Sequence, residues 1–202
     1  MTPSRPDIIL ASASHSRRKL LEATGIAFRA IAADVDEAAI KRRHDPRKGG
    51  FGELAVQLAS QKALAVADRH PEALVIGADQ ILVFDDEAFD KPDSIESARR
   101  QLQRLRGDTH SLETAVACAM GKDILWSHVE APRLTMRPFS AAQLEAYLAG
   151  EGEAVTETVG GYRIEGPAIQ LFDSIDGDYF SILGLPLLPL LGFLRARGVV
   201  AA

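Results

Sequence analysis

Short apolar runs, broken at intervals by glycine, proline or small polar residues, divide the chain into alternating strands and helices. Ile8 to Ala11 has the character of a buried strand. Ser12-Ala13-Ser14 follows, and then a helix through Leu20, Leu21 and Ala23 that Gly25 stops. This strand, loop and helix order aims backbone N–H groups and the helix dipole at whatever sits above the loop, which suits anions. Phe28 to Ala33 predicts a second strand, ending in the acidic group Asp34-Val35-Asp36-Glu37, and residues 41–50 read as a polar loop. Residues 52–69 predict a helix closed by Pro71, with Leu54, Leu58 and Val66 on its buried stripe. Lys62 falls inside that stripe, so its side chain either snorkels outward, the commoner outcome, or reaches into a site.

The most informative run is residues 74–83, Leu-Val-Ile-Gly-Ala-Asp-Gln-Ile-Leu-Val, an apolar strand with a carboxylate at its middle. An isolated buried carboxylate is heavily penalised, so Asp79 must be paired, bound to a cation or protonated. A buried Asp satisfied by backbone N–H groups at a turn is the bland alternative. Gly77 in the same strand marks a bulge or a close approach of another backbone or ligand.

Beyond it, Asp85-Asp86-Glu87 reads as a hairpin tip and Phe89 to Pro92 as the returning edge. Residues 94–106 form a helix capped by Ser94 and stopped by Gly107. His110 to Met120 and Ile124 to Arg137 alternate as two long strands joined by a turn at Gly121. Ser140 and Gln143 make a capping box, residues 151–168 are irregular, Asp176-Gly177-Asp178 is a turn, and Pro186 opens a last helix that Gly198 stops. Strands alternating with helices, plus a long hairpin, predict an α/β fold with a mixed sheet.

Composition narrows the class. The 202 residues, 47% hydrophobic and 25% charged, suit one globular domain, single or with two lobes. A net charge of −5 with scattered basic residues lacks the footprint of a duplex-binding protein, and 6% aromatic residues disfavour an RNA-binding module. Cys118, the sole cysteine, excludes an internal disulfide and a cysteine metal cage and reads as a small buried hydrophobe. Without a secretory signal or an unbroken apolar span, the expected location is the cytoplasm, with no membrane partner.

Five polar sites stand at strand ends or in glycine-flanked loops: Ser12/Ser14/Arg17, Asp36/Glu37, Asp79/Gln80, Lys91 and the segment Gly160 to Gly166 with Glu165. They offer hydroxyls and cations for phosphate and carboxylates for a divalent ion, yet each taken singly is better explained as a solvated or capping residue. Their order resembles the Maf family of nucleoside triphosphate pyrophosphatases. The matching stretches are Leu-Ala-Ser-Ala-Ser (10–14) with Arg17 and Leu20-Leu21, Val-Asp-Glu (35–37), Gln-Lys-Ala (61–63), Gly-Ala-Asp-Gln (77–80) and Lys91-Pro92. Leu105 to His110, Tyr147 with Gly150-Glu151, Gly-Gly-Tyr (160–162), Gly177-Asp178-Tyr179 and Gly184-Leu185-Pro186 continue the series.

The resemblance implies an elongated α/β fold whose mixed sheet bends around a central nucleotide-binding cleft, commonly as a homodimer. It also implies Mg²⁺- or Mn²⁺-dependent cleavage of a nucleoside triphosphate to monophosphate and pyrophosphate, a housecleaning activity against non-standard nucleotides. Carried onto this sequence, it makes Asp79 the catalytic carboxylate, Glu37 and Asp79 metal-associated, and Ser12, Ser14, Arg17, Lys62 and Lys91 phosphate contacts.

The chain also departs from the family pattern. Ser14-His15-Ser16-Arg17 stands where many members have Ser-Pro-Arg-Arg, Gln80 replaces a Thr, and Glu165 replaces a Gln. Gln80 and Glu165 resemble the branch acting on 7-methyl-GTP, because a carboxylate accepts from the N–H groups of a guanine-type base and repels a pyrimidine carbonyl. That branch has an aromatic residue near position 15 or 16, where this chain has only His15. The base is therefore expected to lie away from dTTP and UTP. The alternatives are a dedicated 7-methyl-GTP pyrophosphatase and a non-catalytic nucleotide-binding regulator of cell division.

Overall fold

A computed structural model describes residues 6–200. Its elements are β1 (Ile8–Leu10), α1 (His15–Glu22), β2 (Arg29–Ala30), α2 (Glu37–Arg43), α3 (Pro46–Ala67), β3 (Leu74–Phe84), β4 (Glu87–Phe89) and α4 (Ile95–Leu105). Then come β5 (Thr109–Met120), β6 (Asp123–Glu130), β7 (Arg133–Met136), α5 (Ala141–Glu151), β8 (Phe172–Asp176), α6 (Tyr179–Ile182) and α7 (Leu187–Ala196). The strands form one open mixed sheet in the order β2-β1-β3-β5-β7-β8, with β4 on β3 and β6 on β5. The mixed α/β architecture agrees with the sequence expectation. Among the described residues, no helix is long and apolar enough to cross a membrane.

Contacts group the chain into two compact units. Among the described residues, the first holds 6–80, Glu113–Glu130 and 178–200, and the second holds Ile81–Leu112 and Ala131–Gly177.

In the first unit β1 lies parallel between β2 and β3, pairing Ile9 with Arg29 and with Val75. Both faces of β1 and β3 are buried, which is why their sequences are continuously apolar. Ile8, Leu10, Leu74, Ile76 and Ala78 pack with Leu185, Leu187, Leu190 and Leu194 on one face. Ile9, Ala11 and Val75 pack with Ala63, Val66 and Ala67 of α3 on the other. By the period of two, Gly77 and Asp79 share the α3 face with Val75. Each fully buried Leu or Ile contributes about 1.5–3 kcal/mol. Cys118 is buried there too, and burial pushes its thiol up to about 12, the inert role expected for it.

In the second unit β4 returns on β3 through Asp85 and Asp86, which adopt positive φ angles of 53° and 58° in the tight hairpin turn. β7 pairs antiparallel with the start of β5 and with β8. Ser94 caps α4, and Ser140 with Gln143 forms the expected capping box of α5. Residues 152–171 carry three 3-10 turns, and Arg99 of α4 ion-pairs with both Glu96 and Glu145.

Three expectations are corrected. β2 is two exposed residues rather than the run 28–33, because it borrows hydrogen bonds only from the edge of a three-residue β1. Segment 41–50 is not a loop: α2 runs to Arg43, and α3 starts at Pro46 behind an Asp45 cap. His44 and Asp45 are extended between the two helices, and within α3 Gly50, at φ 67°, interrupts the helical course. Its polar residues line exposed helical turns, and polarity alone does not break a helix. The stretch 124–137 is two strands, because Pro132 has no N–H to continue a ladder.

Candidate active site

The center of the site is set by a close approach of helix to strand. A Cβ at Gly77 would fall 2.7 Å from the Ala63 backbone nitrogen and closer still to the Ala59 carbonyl, so only glycine lets α3 lie against β3 here. That contact brings Lys62 over Asp79, two residues along the same strand face. Lys62 Nζ lies 2.5 Å from Asp79 Oδ1 and 2.8 Å from Glu37 Oε1. Side-chain exposure falls from 44% at Glu37 through 13% at Lys62 to 9% at Asp79, so the ammonium joins an outer carboxylate to an inner one. Of the two outcomes open to Lys62, it takes the inward one, and Asp79 has the partner its apolar strand required.

Glu37 reaches this point as the first residue of α2, whose amino end is fixed by Asp36 accepting from Ala39 N at 2.9 Å. Arg17, on the first unit's α1, donates from Nε to Gly184 O at 2.7 Å and from Nη1 to Ala78 O at 2.9 Å. Burial pushes its guanidinium below its ordinary value, and the charges of Asp79 and Glu37 oppose that shift. Gly184 has φ 99°, and a Cβ there would press on Arg17 Nε at 3.2 Å, which accounts for this glycine. Ser12 Oγ accepts from Ser14 N at 3.1 Å, and Ser14 Oγ caps α1 by accepting from Arg17 N.

Gln80 Nε2 donates to Thr114 Oγ1 at 2.9 Å and to the carbonyls of Ser181 and Ile182, each at 3.0 Å. Its amide nitrogen is thus committed to holding the 181–184 turn, while Oε1 can act only as an acceptor. Ser181, fully buried, is itself tied to Glu130 at 2.6 Å and Asp178 at 2.9 Å. Sequence reading overlooked Thr114, Glu130 and Ser181; the only local signal was Glu113-Thr114 interrupting an otherwise apolar strand.

Lys91 and Glu165 belong to the second unit. Both are exposed, Lys91 just past β4 and Glu165 in the turn after Tyr162. The loop bearing Glu165 is held from several sides. Tyr147 Oη donates to Gly161 O at 2.9 Å, and Arg163 pairs with Glu151 at 3.0 Å, a bond that raises the guanidinium above its ordinary value. His110 Nε2 meets Tyr162 Oη at 2.6 Å, while the buried Nδ1 has no hydrogen-bond partner. Burial lowers His110 to about 4 and raises the Tyr162 phenol. Gly160 and Gly161, at φ 77° and 72°, are required because a Cβ on either would meet Leu82 or Ala98.

Hard carboxylate oxygens converging on one cation suit Mg²⁺ or Mn²⁺ in kind. No cluster of three or more His, Cys, Asp or Glu side chains placed to share an ion occurs among the described residues, so the protein supplies two carboxylates at most here. An open cavity of about 800 Å³ in the first unit, lined by residues such as Ile8, Phe28, Arg29 and Leu191, contains none of the predicted site residues.

Comparison with known proteins identifies the relatives of this chain. Residues 7–197 match the Maf-like protein family. A nucleoside triphosphate pyrophosphatase of Granulibacter bethesdensis is 53% identical over 188 residues, covering 93% of this chain and 95% of that protein. One from Hyphomonas neptunium is 47% identical over 96% of this chain and 97% of its own length. A 7-methyl-GTP pyrophosphatase of Brucella abortus is 45% identical over 93% and 94%. A family match across nearly the whole chain, with relatives this similar at full length, places the chain in the Maf family.

Proposed function

We propose that this chain is a nucleoside triphosphate pyrophosphatase that hydrolyses its substrate to the nucleoside monophosphate and pyrophosphate. The observation that carries the reading is the bridge from Asp79 through Lys62 to Glu37, a base, a movable cation and a second carboxylate within contact distance. Full-length relatives that bear the same activity in their names support it.

In this reaction a water oxygen forms a bond to the α-phosphorus, and its proton passes to Asp79. The bond from the α-phosphorus to the bridging oxygen breaks, and pyrophosphate leaves. Lys62, released from the carboxylates, neutralises charge gathering on the phosphate oxygens. Arg17, anchored to Ala78 O and Gly184 O, keeps a fixed positive charge beside both. Ser12 and Ser14 keep hydroxyl hydrogens to donate to phosphate. A Mg²⁺ or Mn²⁺ held by Glu37 and Asp79 would add charge neutralisation.

Lys91 as a phosphate contact and Glu165 as a base-selecting carboxylate rest on their motif positions. With Gln80 Oε1 as a further acceptor, they favour a guanine-type or modified base over dTTP and UTP. A cytoplasmic setting goes with a nucleoside triphosphate substrate.

The test is pyrophosphate release from GTP, 7-methyl-GTP, dTTP and UTP, with Mg²⁺, with Mn²⁺ and with EDTA. Pyrophosphate with monophosphate is expected, EDTA abolishing it. Release of orthophosphate with a diphosphate would place attack at the γ-phosphorus. Tight nucleotide binding without release from any substrate would mark a non-catalytic regulator.

A further inference from the structure

Lys62 occupies the point on which Glu37 and Asp79 converge, and that is where a cation serving both carboxylates has to sit. An ammonium 2.5 Å from Asp79 Oδ1 and 2.8 Å from Glu37 Oε1 already takes up that point. We infer that Lys62 is the resident counter-ion of these carboxylates and that a divalent cation takes its place only when a polyphosphate draws the ammonium away. The inference rests on the proposed metal-assisted reaction, and concerns how the site is loaded.

Three observations carry it. The backbone of α3 is pinned to β3 by the Gly77 contact, so the base of the Lys62 side chain stays put. The exchange is then confined to its flexible methylene stem, which can swing the ammonium to another acceptor. Second, formal charges balance: Glu37 and Asp79 are offset by Lys62 and by Arg17, whose guanidinium feels both carboxylates. A divalent ion arriving alone therefore enters a neutral cluster still holding two cations. One arriving with a triphosphate brings about four negative charges that accept Lys62 and reverse the balance. Third, two carboxylates are a minority of a hexacoordinate shell, and no third acidic, His or Cys ligand joins them among the described residues. Metal and polyphosphate should thus bind with mutual reinforcement, each raising the affinity for the other by the same factor.

The experiment is equilibrium dialysis of Mn²⁺ against the full chain, with free ion read by electron paramagnetic resonance. Wild type is compared with Lys62→Met and Lys62→Gln in the absence of nucleotide. Removing the ammonium should tighten Mn²⁺ binding by about tenfold or more, because the carboxylates lose their competitor. Affinity in a folded variant equal to or weaker than wild type overturns the exchange. If neither variant folds by circular dichroism, the wild type decides with inorganic tripolyphosphate, a probe that needs no base. Retention of Mn²⁺ on the protein should rise by about tenfold or more, and unchanged retention overturns the inference. Neither measurement requires turnover. A chain that binds Mn²⁺ as expected yet releases no pyrophosphate refutes the proposed reaction and leaves the exchange standing, while an active enzyme whose variants gain no affinity does the reverse.

Discussion

Two buried polar constellations in this protein solve the same problem in opposite ways. In the first unit, Asp79 sits among apolar residues with its charge matched by Lys62, and the pair opens outward to Glu37. In the second, His110 is 2% exposed and is kept neutral by burial, sharing one hydrogen bond with Tyr162 and packed against Phe172. The charged cluster sets two carboxylates around one ammonium and has an exposed side, the arrangement that the proposed reaction and exchange both use. The neutral pair is enclosed, and its role is to hold the loop that begins at Gly160. Burial is thus common to both, and what separates them is the second carboxylate that the charged cluster offers its cation.

Replacing Asp79 with Asn should break the charged side of this comparison most severely. Shape is kept while the base and its charge are lost, so pyrophosphate release should fall by about 100-fold or more with circular dichroism unchanged. Near wild-type release from the purified variant would remove Asp79 from the catalytic role.

Gly77→Ala attacks the same cluster without touching a charge. Its methyl group meets the Ala59 and Ala63 backbone, so α3 must retreat from β3 and carry Lys62 away from Asp79. Denaturant unfolding should show a loss of about 3 kcal/mol, at the upper end for overpacking, with activity reduced as well. A variant as stable as wild type would mean that the helix is not pinned there.

The neutral pair is tested by pH. His110 is lowered from 6.5 to about 4 in the fold, so between those values the unfolded chain binds the extra proton and the folded chain does not. Stability must then fall as pH drops through this window, by up to about 3 kcal/mol from this group, and be fully present above it. His110→Phe should unfold with a shallower pH dependence between 6.5 and 4. Parallel profiles for variant and wild type would show that His110 is protonated in the fold.

The smallest effect concerns base choice. Glu165→Gln should shift the ratio of kcat/KM for guanine-type nucleotides over dTTP and UTP toward the pyrimidines by about tenfold or less, since Glu165 is exposed. An unchanged ratio would leave Glu165 with a loop-shaping role only.

Much of the architecture was legible from local chemistry. The Ser94 cap, the Ser140–Gln143 capping box, the hairpin at Asp85-Asp86 and the stops at Gly107 and Gly198 are all short-range effects, and all stand in the fold. The failures share a cause. The run 28–33 looked like a strand because its pattern is right, but strand length depends on what the neighbor offers, and β1 offers little. Segment 41–50 looked like a loop because it is polar, yet solvent-facing helical turns are polar as well.

For the site, the sequence by itself determined that Asp79 needed a partner, that Gly77 marked a bulge or a close approach, and that the ordered motifs pointed to one family. It left Lys62 with two fates, because helical periodicity fixes only the face on which a side chain begins. Tertiary structure alone chose between them, through an α3–β3 contact closer than any Cβ allows. It alone also revealed that Gln80 and Arg17 hold the 181–184 turn, partners 101 and 167 positions away along the chain. Contacts at such separations are set by how the layers pack, and no local pattern encodes them.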